Sequence, residues 1–331
     1  MRLLKFVGGV FLVLVAFLLF LAYFIKDHAE TQQKIYIKAA PQTVFRLVSD
    51  LHYWKDWSPF MEGDNDLNSV FTGPERGLKS KHVWKGKNGR SGSQEIVACN
   101  PYESIRIKLD MGGSGQAFDE WTFKDTTDGV IVGWKLVMTD LSYPFHRYFG
   151  YFIEGTMKPL QERGLQKIKE LAEGASPAIR IEEITKEAVN AVAILDSAMM
   201  PDVEHKLADD FSMLEKLMAY GRTAAAGTAF AVFYNWDADK PIKFRVAYPV
   251  AEEVREHGLM HLYRWEAGKM LKAVHSGPAE GLVNVHVEMD NYMQDFGMKL
   301  RGAGVYEVYL KQETAVKDSS VIMTEVYYPI E

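Results

Sequence analysis

One carboxylate in this sequence is placed where it could do chemistry. Residues 305–310, VYEVYL, alternate between the two faces of a strand, so Val305, Glu307 and Tyr309 share one face. Burying a carboxylate beside apolar and aromatic side chains is unfavourable unless it gains a partner. A bound cation is one such partner, and aromatic faces attract the same cation. A structural salt bridge is the other. The pattern therefore predicts either a cation-binding pocket or an ion pair around Glu307.

Further side chains are candidates for the walls of a binding site. In the same half of the chain, Glu325 is a second acidic candidate, and Trp236 and Trp265 are possible aromatic walls. In the first half, three tryptophans on predicted strands could line a cavity: Trp84, Trp121 and Trp134. Ordinary packing in a core is the competing interpretation for each tryptophan, because aromatic side chains supply much of the area that cores bury.

Residue spacing gives no support to metal or nucleophile chemistry. His52, His82 and His146 lack the partner spacing of a zinc site or of a catalytic triad. Cys99 is the single cysteine, so no intrachain disulfide can form. We therefore expect no metal and no cofactor, and we find no catalytic set in the first half of the chain.

The composition is that of a globular protein with an acidic balance. Of the 331 residues, 47% are hydrophobic and 25% are charged, and the formal net charge is −6. This length fits two domains, or one large one, after a short anchor. A nucleic-acid binder needs a basic face that displaces counterions. The acidic balance therefore disfavours nucleic acid as a partner.

The N-terminus predicts a single membrane span. Residues 6–25, FVGGVFLVLVAFLLFLAYFI, contain no charge and no proline. Twenty helical residues cover about 30 Å, the thickness of a hydrocarbon core. A cleaved signal peptide is the alternative, but the apolar run ends without the small residues that cleavage needs. Arg2 and Lys5 precede the span and a nearly neutral segment follows it, so we expect the soluble domains on the non-cytoplasmic side.

The first soluble domain shows a strand, short helices, an antiparallel meander and a long closing helix. Pro41 opens a helical stretch, residues 130–138 alternate with a period of two, and residues 145–173 place apolar side chains at helical spacing. The stretch IYIKAAPQTVFRLVSDLHYWKDWSPF, the region WKGKNGRSGSQEI and the closing helix resemble the START-like polyketide-cyclase (SRPBCC) superfamily. The resemblance implies a helix-grip fold, whose curved sheet and long helix enclose an apolar cavity for lipids, hormones or polyketides.

A linker and an internal repeat organise the rest of the chain. The segment EGASP at residues 173–177 has a helix-ending glycine and a proline. We therefore place the anchor, the first soluble domain and the second at residues 1–31, 32–174 and 175–331. In the second, a strand–helix–strand–strand unit occurs twice, with a helix at 279–300 in the second copy. The matching segments are 244–250 with 324–330, and 230–235 with 306–311.

The second domain resembles the GyrI-like effector-binding domain. The segments AVHSGPAEGL, AGVYEVYLKQE and TEVYYPIE carry this resemblance, which covers residues 179–331. It implies a cleft between the two repeats for small cationic or aromatic molecules, with the acidic pocket residue on the Glu-x-Tyr strand, here Glu307 with Tyr309. The first repeat has Ala231 at the position of Glu307, so we expect an asymmetric site. Aromatic residues usual in the family are missing at Ala279 and late in the second helix.

Together these patterns predict an α+β protein with one transmembrane helix and two tandem cavity domains. No DNA-binding helices are predicted before the second domain, so a DNA-binding regulator is not expected. The favoured function is membrane-anchored binding or sensing of an apolar, cationic or aromatic small molecule. The alternative is hydrolysis of small xenobiotic or electrophilic compounds, with Glu307 as general base and Tyr309 as an orienting donor. A third possibility is a structural role at the membrane, in which side chains fill both cavities.

Overall fold

The chain begins with a helix whose side chains are almost all exposed. In the computed structural model, α1 (Arg2–Phe24) runs without interruption, since it contains no proline and only apolar residues after Lys5. Its large side chains, from Phe6 to Phe24, do not pack into a core. Residues Phe6–Phe24 are long and apolar enough to cross a membrane, a test that an N-terminal signal sequence also passes.

The structure describes residues 2–62, 68–85, 91–110, 116–175, 179–237, 239–251, 254–302, 304–311 and 323–331. These residues form two units that divide after residue 178. Parts of three sequence segments named above lie outside the described residues: residues 86–90 of WKGKNGRSGSQEI, residues 176–177 of the linker, and residues 303 and 312–313 of AGVYEVYLKQE.

The first unit is one antiparallel sheet combined with a long helix. Its seven strands lie in the order β1-β7-β6-β5-β4-β3-β2. After α1 its elements are β1 (Ala29–Ile37), α2 (Pro41–Ser49), α3 (Trp54–Trp57), β2 (Asn68–Thr72), β3 (Lys81–Lys85), β4 (Ser91–Asn100), β5 (Ser104–Asp110), β6 (Gln116–Asp125), β7 (Val130–Thr139) and α4 (Phe145–Glu173).

The period of two along the strands decides which side chains meet α4. On β7, Val130, Val132 and Trp134 point into the core, where they join Leu165 and Ile168 of α4. The 29 residues of α4 are those that the apolar spacing predicted. The sequence prediction of an α+β helix-grip unit is confirmed, since a curled antiparallel sheet packs on this helix.

The second unit contains two long helices and one sheet, in which the spatial order of the strands differs from their order in the chain. Its eight strands lie in the order β12-β9-β11-β10-β14-β15-β13-β8. The elements are β8 (Ile181–Lys186), β9 (Val189–Ala198), α5 (Val203–Tyr220), β10 (Phe230–Phe233), β11 (Ile242–Pro249), β12 (His261–Trp265), β13 (Gly268–Ser276), α6 (Leu282–Phe296), β14 (Val305–Lys311) and β15 (Met323–Pro329).

The order of these strands confirms the duplication predicted from the sequence. The units β9-α5-β10-β11 and β13-α6-β14-β15 occupy mirrored places in the strand order, and β10 pairs with β14 at the centre. The antiparallel register sets Ala231 opposite Glu307. These two positions correspond in the repeat, so the pseudo-two-fold axis passes between them. Strands β12 and β8 lie outside the repeat, one at each edge of the sheet.

Helix α6 is shorter at both ends than the predicted range of 279–300. Residues Ala279–Gly281 form a 3-10 turn before the α-helix begins. At the other end Gly297 adopts a left-handed conformation with φ 65°, which terminates the helix after Phe296. The Met298 amide then donates to the Met293 carbonyl at 2.8 Å. This glycine cap is the physical reason that the predicted helix was too long.

The two faces of the second sheet carry different kinds of side chains. One face packs against α5 and α6 through apolar residues such as Leu214 and Met289. The other carries an aromatic cluster that includes Phe230, Trp265 and Tyr306. Because side chains alternate along each strand, neighbours in sequence are divided between these two environments.

The contact between α4 and its sheet can be tested with a cavity-forming substitution. Ile168→Ala removes a fully buried side chain from the core, and we expect a loss of about 2–5 kcal/mol in the free energy of unfolding. Urea unfolding followed by tryptophan fluorescence measures this loss, because five of the seven tryptophans lie in the first unit. The control is Glu162→Ala on the exposed side of α4. Equal midpoints for the two variants would contradict the described packing.

Candidate functional site

Glu307 lies at the centre of the second sheet, on the face that packs against the helices. It is on β14, next to the pseudo-two-fold axis, and only 5% of its surface is exposed. Its strand neighbours across the sheet are Ala231 and Val326, which belong to the apolar core of that face. A carboxylate in such surroundings requires hydrogen-bond donors.

Two side chains supply hydrogen bonds to the Glu307 carboxylate. The Tyr309 hydroxyl donates to Oε2 at 2.9 Å, because residues two apart on a strand share a face. His286 Nε2 of α6 lies 2.9 Å from Oε1. His286 Nδ1 in turn lies 3.0 Å from the Tyr328 hydroxyl on β15. The result is a network that joins α6 to two neighbouring strands. We call it the Glu307 network: Glu307, Tyr309, His286 and Tyr328.

The two phenols of the Glu307 network stay protonated and therefore remain hydrogen-bond donors. Burial raises the pKa of Tyr309 well above its usual range, and the charge of Glu307 raises it further. Burial also raises the pKa of Tyr328, with a contribution from the charge of Asp290. Neither phenol can become an anion at neutral pH.

A partly exposed tryptophan stands beside this network. The Trp236 ring centroid lies 5.1 Å from that of His286, and the ring stacks on Phe233 at 4.6 Å. About 44% of Trp236 is exposed. Its face is thus available to an aromatic or cationic group that approaches the network. The structure brings together three of the sequence candidates: Glu307, Tyr309 and Trp236.

The structure does not bring Glu325 and Trp265 to the same site. Glu325 lies opposite Val308, on the other face of the sheet, where it pairs with Lys272 at 2.6 Å and accepts from the Tyr327 hydroxyl at 2.6 Å. Trp265 stacks on Tyr306 of that face at 4.1 Å. Both residues are binding-site candidates from the sequence, and the register of the strands places them on the face opposite Glu307.

The aromatic cluster around Trp265 already contains a cation of the chain itself. Lys186 Nζ lies 4.4 Å from the Trp265 ring centroid and 4.9 Å from that of Tyr327. Burial lowers the pKa of this lysine. The lysine occupies the place that a ligand cation would take over these rings, so we do not assign a ligand site to this face.

Sequence analysis missed His286, which is the partner that α6 supplies. The available signal was weak. His286 and Asp290 are polar residues four apart on a helix whose buried positions are apolar, Val285 and Met289 among them. Such spacing marks one face of a helix but not what that face contacts. Only the packing of α6 on β14 shows that the imidazole meets Glu307.

In the first unit, two of the three candidate tryptophans occupy core positions. Trp121 and Trp134 are fully buried and stack on each other at 4.5 Å. They continue into a cluster with Trp54 and Trp57. Trp84 is only half-buried, and its ring lies 5.2 Å from that of His82 on the same strand, β3. The cluster of four does not include it.

A buried carboxyl lies beside this tryptophan cluster, and sequence analysis did not identify it. Asp119 of β6 is 2% exposed and accepts a hydrogen bond from Trp134 Nε1 at 2.8 Å. Burial raises the pKa of Asp119 to about 7, and the tryptophan hydrogen bond opposes this only in part. Within the described ranges, Trp121 Nε1 is buried without a hydrogen-bond partner. Both groups lie next to the apolar core that contains Trp121 and Trp134.

The described part of the chain contains no group of three or more His, Cys, Asp or Glu residues arranged to hold a metal ion. The Glu307 network can therefore be considered on its own chemistry. It offers a buried carboxyl group, two phenols and a neighbouring aromatic face.

Two protein-family models match the chain in sequence order. Residues 28–173 match a family described as polyketide cyclase / dehydrase and lipid transport. Residues 191–331 match a family described as a GyrI-like small molecule binding domain. These matches confirm both resemblances found in the sequence. A search of curated proteins returned no match.

Solved structures with low sequence identity also align with the chain. An EcmrR–DNA complex determined by cryo-EM is 15% identical, with a TM-score of 0.44, over 56% of this chain and 70% of that one. The EcmrR C-terminal domain is 17% identical, with a TM-score of 0.39, over 46% of this chain and 98% of that one. A hydrolase from Listeria innocua is 17% identical, with a TM-score of 0.35, over 49% and 98%.

The raised pKa of Asp119 predicts a pH dependence of stability. In the unfolded chain this carboxyl ionises near 3.8, but in the folded protein it keeps its proton up to about pH 7. The folded state therefore binds more protons between these values, so its stability falls as the pH rises through this window. Asp119→Asn removes the dependence and should raise the free energy of unfolding at pH 8 by about 4 kcal/mol.

Urea unfolding of the wild type and the Asp119→Asn variant at pH 4 and pH 8 measures this effect. Asp125→Asn is the matched control, because Asp125 is on the same strand and exposed. If the stability difference between the Asp119→Asn variant and the wild type were the same at pH 4 and at pH 8, the carboxyl would be ionised in the folded protein over this range, which would contradict the prediction.

Proposed function

Because the chain carries a polyketide cyclase / dehydrase and lipid transport domain followed by a GyrI-like small molecule binding domain, we propose that it is a membrane-anchored binding protein. Its second domain captures a small cationic or aromatic molecule beside Glu307. The proposal rests above all on one observation. A nearly buried carboxylate lies at the pseudo-two-fold axis of the duplicated sheet, next to an exposed aromatic face.

The charge of the Glu307 network supports a cationic ligand. Tyr309 donates a hydrogen bond without carrying charge, and the His286 ring is charged only when it is protonated. Over the described ranges, no lysine or arginine forms an ion pair with Glu307. A carboxylate without a fixed positive partner attracts a cation strongly where water is largely excluded. Trp236 would cover one side of that cation with its ring.

The hydrogen bonds of Glu307 favour binding over hydrolysis. A general base must direct one carboxylate oxygen to the substrate or to an attacking water. Here Oε1 contacts His286 Nε2, and Oε2 accepts a hydrogen bond from the Tyr309 hydroxyl. Both oxygens are engaged inside the network, so hydrolysis with Glu307 as the base is the second-ranked function.

The first domain and α1 complete the proposal. The family description of residues 28–173 includes lipid transport, and a large apolar core lies between the sheet and α4 of this domain. We infer that this domain takes an apolar ligand. Helix α1 anchors the protein through residues 6–25, with the soluble domains on the non-cytoplasmic side, as the charges flanking the helix favour.

The role of Glu307 can be tested with a lipophilic cation. In detergent micelles, we expect full-length Glu307→Gln protein to bind tetraphenylphosphonium at least about tenfold more weakly than the wild type, because a buried charged contact is worth 1.4 kcal/mol or more. Isothermal titration calorimetry measures the affinities, after subtraction of cation binding to empty micelles.

The matched control for this titration is Glu325→Gln. Glu325 lies on the neighbouring strand but on the opposite face of the sheet, so its substitution should leave the affinity unchanged. Thermal unfolding of both variants checks that the fold is retained. Equal affinities in the wild type and the Glu307→Gln protein would reject the cation site, and an equal loss in both variants would show a general charge effect.

A further inference from the structure

The start of α4 is hydrogen-bonded to the membrane-spanning helix. The Tyr143 hydroxyl donates to the Leu19 carbonyl at 2.6 Å, and the Tyr148 hydroxyl donates to the Leu18 carbonyl at 2.5 Å. Arg147 donates to the Ile25 carbonyl at 3.2 Å, at the end of α1. These contacts fix the first turns of α4 against the last turns of α1.

The position of these contacts along α1 determines their depth. Leu18 lies six residues before Phe24, the last residue of the apolar span, and six helical residues cover about 9 Å. The span Phe6–Phe24 has 19 residues, roughly 29 Å at the helical rise, which is only just the thickness of the hydrocarbon core. The span can therefore cross the hydrocarbon core only if nearly all of its residues, Leu18 included, lie inside the bilayer. The Tyr148 contact therefore lies within the bilayer boundary.

The exposed side of this part of α4 is aromatic. Phe145, Phe149 and Phe152 follow each other at spacings of four and three residues, so they form one stripe on the helix. Between 53% and 79% of each side chain is exposed. We call these three residues the aromatic stripe. Exposed aromatic and apolar residues in a row are unfavourable in water, and they are typical of helices that lie in a membrane interface.

The same helix becomes polar farther from α1. Near its start, Gly150 is close to Ala29 at the beginning of β1, whereas near its end Glu173 accepts from the Lys38 amide, just after β1. Helix α4 thus leads away from the anchor alongside β1. Beyond Pro159 its exposed positions are polar or charged apart from Leu171, for example Glu162 and Gln166. The exposed side of α4 is therefore aromatic near the span and polar farther from it.

We propose that the aromatic stripe inserts into the same bilayer face from which α1 emerges, and that it forms a second membrane contact of the first domain. Its partner is the boundary between lipid headgroups and acyl chains, which interfacial helices enter to a depth of roughly 5–10 Å. The inference rests on the proposed anchoring by α1, and it adds that the domain is held against the lipid rather than tethered above it.

Depth-dependent quenching in vesicles tests this contact. Full-length protein with Cys99→Ser receives one new cysteine, labelled with a nitrobenzoxadiazole dye, in three separate variants: Leu12→Cys within the span, Phe149→Cys in the aromatic stripe and Glu162→Cys farther along α4. All three native side chains are exposed. The vesicles contain phosphatidylcholine and phosphatidylglycerol, with or without bromine on the acyl chains. Residue 162 lies about 20 Å beyond residue 149 along the helix.

We expect brominated lipid to quench the labels at positions 12 and 149, by roughly half for an interfacial depth, and to leave the label at 162 nearly unchanged. Quenching at 12 together with equal, weak quenching at 149 and 162 would overturn the stripe contact and leave the anchor intact. Absence of quenching at 12 would overturn the anchor itself, and the stripe contact with it. The three positions thus separate the two failures.

Discussion

A carboxylate near the centre of a sheet has to be given hydrogen-bond donors, and the second unit is organised around that requirement. Glu307 is surrounded on its own face by Ala231 and Val326, which have no polar atoms in their side chains. Its donors must then come from its own strand or from the covering helix. Tyr309 and His286 are those donors. The position of α6 over β14 is therefore tied to the charge of one residue.

The first unit also contains a buried carboxyl group, and this one has fewer hydrogen-bond donors. Asp119 is as deeply buried as Glu307, but Trp134 is the one side chain described as donating a hydrogen bond to it. With so few donors, burial dominates, and the pKa of Asp119 rises to about 7. Glu307 has two hydrogen-bond partners, whereas Asp119, with fewer donors, is neutral over much of the acidic range. The two buried carboxyl groups thus differ in the hydrogen bonds that their surroundings supply.

Local periodicity was sufficient to predict the elements, whereas contacts between them were not predictable. The spacing of apolar residues predicted α4 to its end residues, and alternation placed Glu307 and Tyr309 on one face. Alternation also places Glu325 and Tyr327 together on β15. Which face of the sheet they occupy depends on the register with β14, and that register sets Val326 opposite Glu307. A shift of one residue reverses every side chain, so the sequence alone could not assign Glu325 to a face of the sheet.

The duplication also explains why the acidic residue occurs once. Ala231 and Glu307 are equivalent positions that face each other across the axis, and directly opposed side chains on antiparallel strands have Cβ atoms about 5 Å apart. A glutamate at both positions would bring two buried carboxylates together, and mutual repulsion would keep one of them protonated. An alanine on one strand removes that conflict. The symmetry of the backbone is thus combined with an asymmetry of side chains, and a single carboxyl group lies beside the axis.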